Sequence, residues 1–197
     1  MRIYIPISAA QLDVAEISPR RVHGVTTAAR AAFPESDRDE LEMLATLYAA
    51  DDALVAMRTA MQTNMRAGAT QTAIRPATQT DATRGINAGQ EETDSAHAAS
   101  LRRIVAVGEV PDSWVQVTPT ADSQPPTCME LLRSVPWNKI ESIHVDEPGS
   151  EALVQQAMRG DAAAFEATGD VELLWYDVTE REALARELLH SPMESSR

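Results

Sequence analysis

The octapeptide IESIHVDE, residues 140–147, reads as a β-strand, yet it sets His144, Asp146 and Glu147 close together at its end. Side chains alternate across a strand. Ile143 and Val145 therefore take the core side, and His144 and Asp146 share the other, about 7 Å apart. Imidazole beside carboxylate suits zinc or manganese. His144, Asp146 and Glu147 are thus the candidate catalytic or metal-ligating residues, and the identity of any metal stays open. The plainer reading is a strand whose polar end meets a turn. Pro148 and Gly149 begin that turn, and Ser150 can cap the helix EALVQQAMRG, closed by Gly160. A metal site needs three or four ligands, and no second His or Cys cluster lies nearby in sequence. We take the architectural reading first.

Working outward, DVELLWYDV (170–178) is apolar on both faces. Leu173 and Trp175 point one way, and Leu174, Tyr176 and Val178 the other, which predicts a central strand. Trp175, Tyr176 and Asp177 are the candidate binding residues, because a buried Tyr or Trp usually seeks a polar partner. Core filler is the ordinary role for Trp175. RRIVAVGEV (102–110) holds the unbroken apolar run Ile104–Val107, as in a strand covered on both faces. RIYIPIS (2–8) alternates, with Ile3, Ile5 and Ile7 on one face. Pro6 lacks an N–H and should lie near an edge or at the strand end. Short strands are also read at RVHGVTT (21–27) and CMELLRSV (128–135), the second because prolines bound it.

The clearest helix begins after Ser36 or Asp37, with Asp39 and Glu40 in its first turn, where the dipole favours negative charge. Leu41, Leu44, Leu47, Tyr48, Leu54, Met57, Met61 and Met65 form one face. Asp51-Asp52 marks a kink or break. The Met57-Met61-Met65 row is either a core face or a soft docking surface. Shorter helices are read at AAQLDVAE, after Ser8, and at EREALARELL, after Thr179. Together these elements predict an α/β (α+β) fold: a mixed β-sheet of five or six strands with helices packed against it, and one long helix at about 37–66.

A chain of 197 residues suits one domain,, here 1–190. Residues 67–98 are poor in large apolar groups and predict a flexible, disordered insertion; 191–197 should fray. The net charge of −13 opposes phosphate backbones, so nucleic-acid binding is not expected. No apolar run approaches the ~20 residues of a membrane helix. The lone Cys128 forms no internal disulfide, and MRIYIPIS lacks a secretory pattern, so the expected location is cytoplasmic. GxGxxG, GxxxxGK[ST], GxSxG and HExxH are all absent,, and no cofactor is predicted. Cys128 as a nucleophile would need a base beside it. Trp114 and Trp137 sit next to prolines and either cover one end of the sheet or mark a binding surface.

MRIYIP at the start, IHVDE at 143–147 and LLWYD at 173–177, with the acidic helix DELEMLATLYAADDAL at 39–54, resemble a family of uncharacterised proteins from high-GC Gram-positive bacteria. The resemblance covers roughly two-thirds of the chain and leaves out 67–98. It implies a shared small cytoplasmic fold and no particular chemistry.

The functional expectation is a non-catalytic domain that binds a protein partner or self-associates. The alternative is a small metal-assisted hydrolase using His144, Asp146 and Glu147, with Tyr176 or Asp177.

Overall fold

The computed structural model describes residues 1–73, 101–117 and 124–190, with side chains of the long helix described as far as Thr63. Seven strands form one sheet: β1 (Arg2–Ile7), β3 (Arg21–His23), β4 (Ile104–Glu109), β5 (Val115–Val117), β6 (Cys128–Leu131), β8 (Ile140–Asp146) and β9 (Leu173–Asp177). Their order is β5-β6-β3-β1-β4-β8-β9. Each neighbouring pair is antiparallel. Two further short strands, β2 (Glu16–Ile17) and β7 (Val135–Pro136), pair with each other.

The expected mixed sheet of five or six strands is therefore corrected to an antiparallel sheet of seven. The difference arises from short strands that periodicity cannot separate. CMELLRSV, read as one strand, divides into β6 and β7. Val115–Val117 pairs with β6 although it is too short to show a pattern. Strand β9 lies at the sheet edge rather than its centre.

One face of the sheet is apolar. Ile3, Ile5 and Ile7 of β1 join Ile104 and Ala106 of β4, Ile143 and Val145 of β8, and Met129 and Leu131 of β6 in one cluster. Leu12 from the 3-10 turn Ala9–Asp13 covers this face, as do Leu184 and Leu188 from the C-terminal helix Arg181–His190. These Ile and Val side chains fall at every second position because the pleat puts them there. Pro6 is the penultimate residue of an interior strand, and β3 pairs with β1 only at Tyr4. Its missing N–H thus falls near the strand end, as expected.

The remaining helices are α1 (Thr27–Ala32), α2 (Arg38–Ala73), α3 (Glu151–Met158) and α4 (Ala162–Ala167); the C-terminal helix is α5. Asp37 starts α2: its carboxylate accepts from the Glu40 N–H at 2.9 Å, and Glu40 returns the bond to the Asp37 N–H at 3.2 Å. This reciprocal arrangement satisfies two otherwise orphaned donors. The helix then runs without a break through Asp51-Asp52 to Ala73. The expected break and the end at about 66 are corrected. The two acids do not interrupt the helix because each finds a cationic or imidazole partner on the sheet. Of the predicted insertion 67–98, residues 67–73 continue this helix, and 74–98 lie outside the described residues, as does the tail 191–197.

Helix α2 crosses β3, β1 and β4. Its closest face is alanine: Ala45, Ala49 and Ala50 pack on Tyr4, Val105 and Val107. Small side chains let the helix backbone approach the sheet. Lower down, Leu54 joins Val154, Ala157, Met158 and Ala164 of α3 and α4.

Strands β4 and β8 shift register between Val107 and Gly108. At Gly108 an added Cβ would lie 2.2 Å from the Lys139 carbonyl oxygen and 3.0 Å from the Ile140 Cα. Backbone cannot yield cheaply, so Gly108→Ala is expected to destabilise by about 1–3 kcal/mol. Urea denaturation checks this, and an unchanged midpoint would count against the close approach.

Candidate functional site

The sheet face under α2 is unusually polar. The pleat aligns Arg21 and His23 of β3, Arg2 and Tyr4 of β1, Ser142, His144 and Asp146 of β8, and Trp175 of β9 on this one side. Most of these groups are paired with residues of α2 and of the segments flanking the strands.

Asp146 is fully buried, as is Arg103. The Arg103 Nε lies 2.9 and 3.0 Å from the two carboxylate oxygens, and Nη2 lies 2.8 Å from Oδ1. The Arg103 backbone N–H donates to Oδ2 at 2.8 Å. Arg103 Nη2 also donates to the Thr168 carbonyl at 2.6 Å, and its Nη1 lies 3.7 Å from Asp51 of α2. This is a fork-on-carboxylate pair with further acceptors on the guanidinium. It ties β4, β8, α2 and the turn after α4 together. Burial pushes the Asp51 carboxyl up, and the Arg103 charge only partly offsets that.

His23 forms a second knot. Its Nδ1 lies 2.8 Å from Thr127 Oγ1, its Nε2 lies 3.2 Å from Asp52 Oδ2, and its ring stacks on Tyr48 with centroids 6.1 Å apart. A hydroxyl, an imidazole and a carboxylate in line have the outline of a nucleophile, base and orienting acid. Both Thr127 and His23 are fully buried beneath α2, and only Asp52 is partly exposed. Cys128 lies opposite His23 in the β3–β6 register and is itself buried.

A third group surrounds Glu42. Its carboxylate accepts from Arg38 Nε at 2.7 Å and from the Tyr4 hydroxyl at 3.0 Å, with Arg2 Nε 3.8 Å away. Burial raises the Glu42 carboxyl, but the hydrogen bonds from Arg38 and Tyr4 outweigh it and hold the group low. Burial and Glu42 together push the Tyr4 hydroxyl well above its usual range.

The proposed ligands separate accordingly. His144 and Asp146 do share a face, but Asp146 is held by Arg103. Glu147 is exposed at the strand end. Among the described residues, no three His, Cys, Asp or Glu side chains are grouped to hold a metal ion. His144 is half-buried, with Nε2 3.4 Å from Ser142 Oγ. Burial, then the Arg2 charge, lowers its pKa. A histidine harder to protonate when folded contributes stability above about pH 6.5 that is lost as pH falls through the folded value. His144→Gln should therefore gain in melting temperature relative to the parent as pH drops from 8 to 5. A constant difference would contradict the shift.

Of the other candidates, Tyr176 is half-buried against the apolar core. Asp177 caps the following turn, accepting from the Thr179 N–H at 2.8 Å and its hydroxyl at 2.6 Å, which lowers its pKa. Trp175 is directly opposite His144 in the β8–β9 register and is 60% exposed. The core-filler reading of Trp175 is corrected: β9 lies at the sheet edge, and the indole there is largely uncovered. Trp114 packs partly on the core. Trp137 donates its Nε1–H to the Val14 carbonyl at 2.8 Å and carries the Arg181 guanidinium over its ring, 4.7 Å from the centroid. Both are partly buried against the apolar core.

A model of a family of unknown function, DUF6912, matches residues 1–185. The chain belongs to the DUF6912 family. The match runs through 67–98, the segment that the sequence resemblance left out. No curated protein and no solved structure matches the chain. In this DUF6912 chain the exposed Trp175 stands on β9, the strand at the edge of the sheet among the described residues. No helix among the described residues is long and apolar enough to cross a membrane.

His23, Arg103 and the Asp51-Asp52 pair were absent from the sequence candidates. The signal that could have found the last was two adjacent acids in mid-helix. Such a pair disfavours a solvated break less than it invites cationic partners across a layer.

Proposed function

We propose that this protein is a non-catalytic binding module that takes up an extended segment of a protein partner along β9. The observation that carries this reading is the state of β9. Among the described residues no strand pairs with its outer edge, and Trp175 stands exposed upon it. An unpaired strand edge offers a row of N–H and C=O groups to an added strand. LLWYD contains no Lys, Pro or Gly, the residues by which edges are commonly blunted. A tryptophan beside such an edge supplies the anchor that tends to dominate interface energetics.

Charge favours a foreign partner over a second copy. Glu172, Asp177 and Glu180 flank the edge, and the chain carries −13 overall. Two copies in antiparallel pairing would bring these acids together, whereas a strand flanked by Lys or Arg would be steered in. The metal-assisted hydrolase finds no support in the ligand geometry around Asp146.

Light scattering after size exclusion, followed by affinity capture with the parent chain and a Trp175 variant as bait, tests the proposal. The expected result is a monomer that captures a partner lost by the variant. A dimer dissolved by the same variant would transfer the surface to self-association. Capture indifferent to Trp175 would remove β9 from the account.

A further inference from the structure

A cleft of about 540 Å³ opens between the lower half of α2, the end of β1, the Ala9–Asp13 turn and α5, away from β9. That volume falls within the ~300–1,000 Å³ usual for small-molecule sites. Its walls are apolar, with Met57, Met61, Met158, Leu101 and Leu189 contributing the large side chains. Ala53, Ala56 and Ala60 line the helix side and leave room rather than filling it. Met57 and Met61 belong to the methionine row noted in the sequence. Their flexible thioethers suit an apolar ligand of imperfect shape.

One end of the cleft is polar, and it centres on Arg20. The Arg20 Nη1 donates to the Pro6 carbonyl at 3.0 Å and to Gln11 Oε1 at 2.8 Å, while Nε donates to the Ser18 carbonyl at 3.1 Å. All three acceptors are neutral. Among the described residues Arg20 forms no ion pair with any carboxylate, although Arg2, Arg21, Arg38, Arg102 and Arg103 each do. Its Nη2 makes no hydrogen bond among them. The guanidinium is thus half-buried and fixed in orientation with its charge uncompensated; burial lowers its pKa. A half-buried cation with no counter-charge attracts an anion more strongly than one fully in water does.

We propose that this cleft binds an amphipathic monocarboxylate, with its carboxylate on Arg20 and its hydrocarbon chain between the methionines. The single uncommitted terminal nitrogen matches a one-charge carboxylate. A phosphate dianion would call for several donors. The overall −13 charge repels anions at long range,, so the apolar chain must supply most of the affinity.

Titration calorimetry of the full chain with octanoate, decanoate and 1-decanol, each kept below its aggregation limit, tests the proposal. Each buried methylene should strengthen binding about fourfold, giving about sixteenfold from octanoate to decanoate. Arg20→Gln should weaken decanoate at least about tenfold and leave decanol unchanged. Ala56→Phe, at an exposed helix position that narrows the cleft, should weaken both, with circular dichroism verifying the fold. Saturable decanoate binding that responds to both variants supports the site. Absence of saturable binding at 1 mM-scale ligand, equal affinity for octanoate and decanoate, or binding indifferent to both variants would overturn it.

Discussion

Asp146→Asn is expected to cost about 3–5 kcal/mol of folding stability, because it leaves the Arg103 guanidinium buried without its counter-charge. For a chain of this size that corresponds to a fall of roughly 6–20 °C in melting temperature. The carboxylate accepts from Arg103 through both oxygens and from the Arg103 backbone N–H. An amide in its place can accept at one atom only. Asp51→Asn makes the comparison: that carboxylate is 3.7 Å from Arg103 and partly exposed, so its loss should stay below about 1 kcal/mol. Replacing both members of the buried pair by apolar residues, as in Arg103→Met with Asp146→Leu, should be far milder than Asp146→Asn alone. Thermal and urea denaturation of the set decide it. A drop of less than 1 kcal/mol for Asp146→Asn would mean that Asp146 is available for other work, and the chemical reading of IHVDE would return.

Trp175→Ala is expected to weaken partner binding by roughly 30-fold or more, the equivalent of a hot-spot loss of at least about 2 kcal/mol. Folding stability should change by no more than about 0.5 kcal/mol, since the indole is largely in water,. The combination discriminates. A core tryptophan would give the opposite pattern, a large loss of stability with binding falling only in proportion. Ile143→Ala, at a fully buried position of the neighbouring strand, provides that opposite case, at about 2–5 kcal/mol.

Much of the fold was legible because it is written in local periodicity. The Ile3-Ile5-Ile7 alternation, the apolar run at Ile104–Val107 and the start of α2 at Asp37 each depend on residues close in sequence. Strand order was not legible, because nothing in LLWYD distinguishes a strand covered on both faces from an edge strand with an apolar outward side. The contact face of α2 was read only in part: Leu41 and Leu54 are buried as expected, but the alanines were overlooked. Large side chains dominate a hydrophobic pattern, whereas the tight contact is made by Ala45, Ala49 and Ala50. For the candidate site, the shared face of His144 and Asp146 follows from alternation alone. That Asp146 is taken by Arg103, 43 positions away, does not, since no local spacing reveals a pairing across strands. His23 and Asp52, 29 apart, escaped for the same reason.

Amide hydrogen exchange across β9, with and without the partner captured by the parent chain, tests the central claim most directly. Binding along this edge should slow those β9 amides that make no bond to β8, leaving the interior strands β1 and β4 unchanged. Protection confined to any other surface, with β9 exchanging as fast as before, would contradict the account.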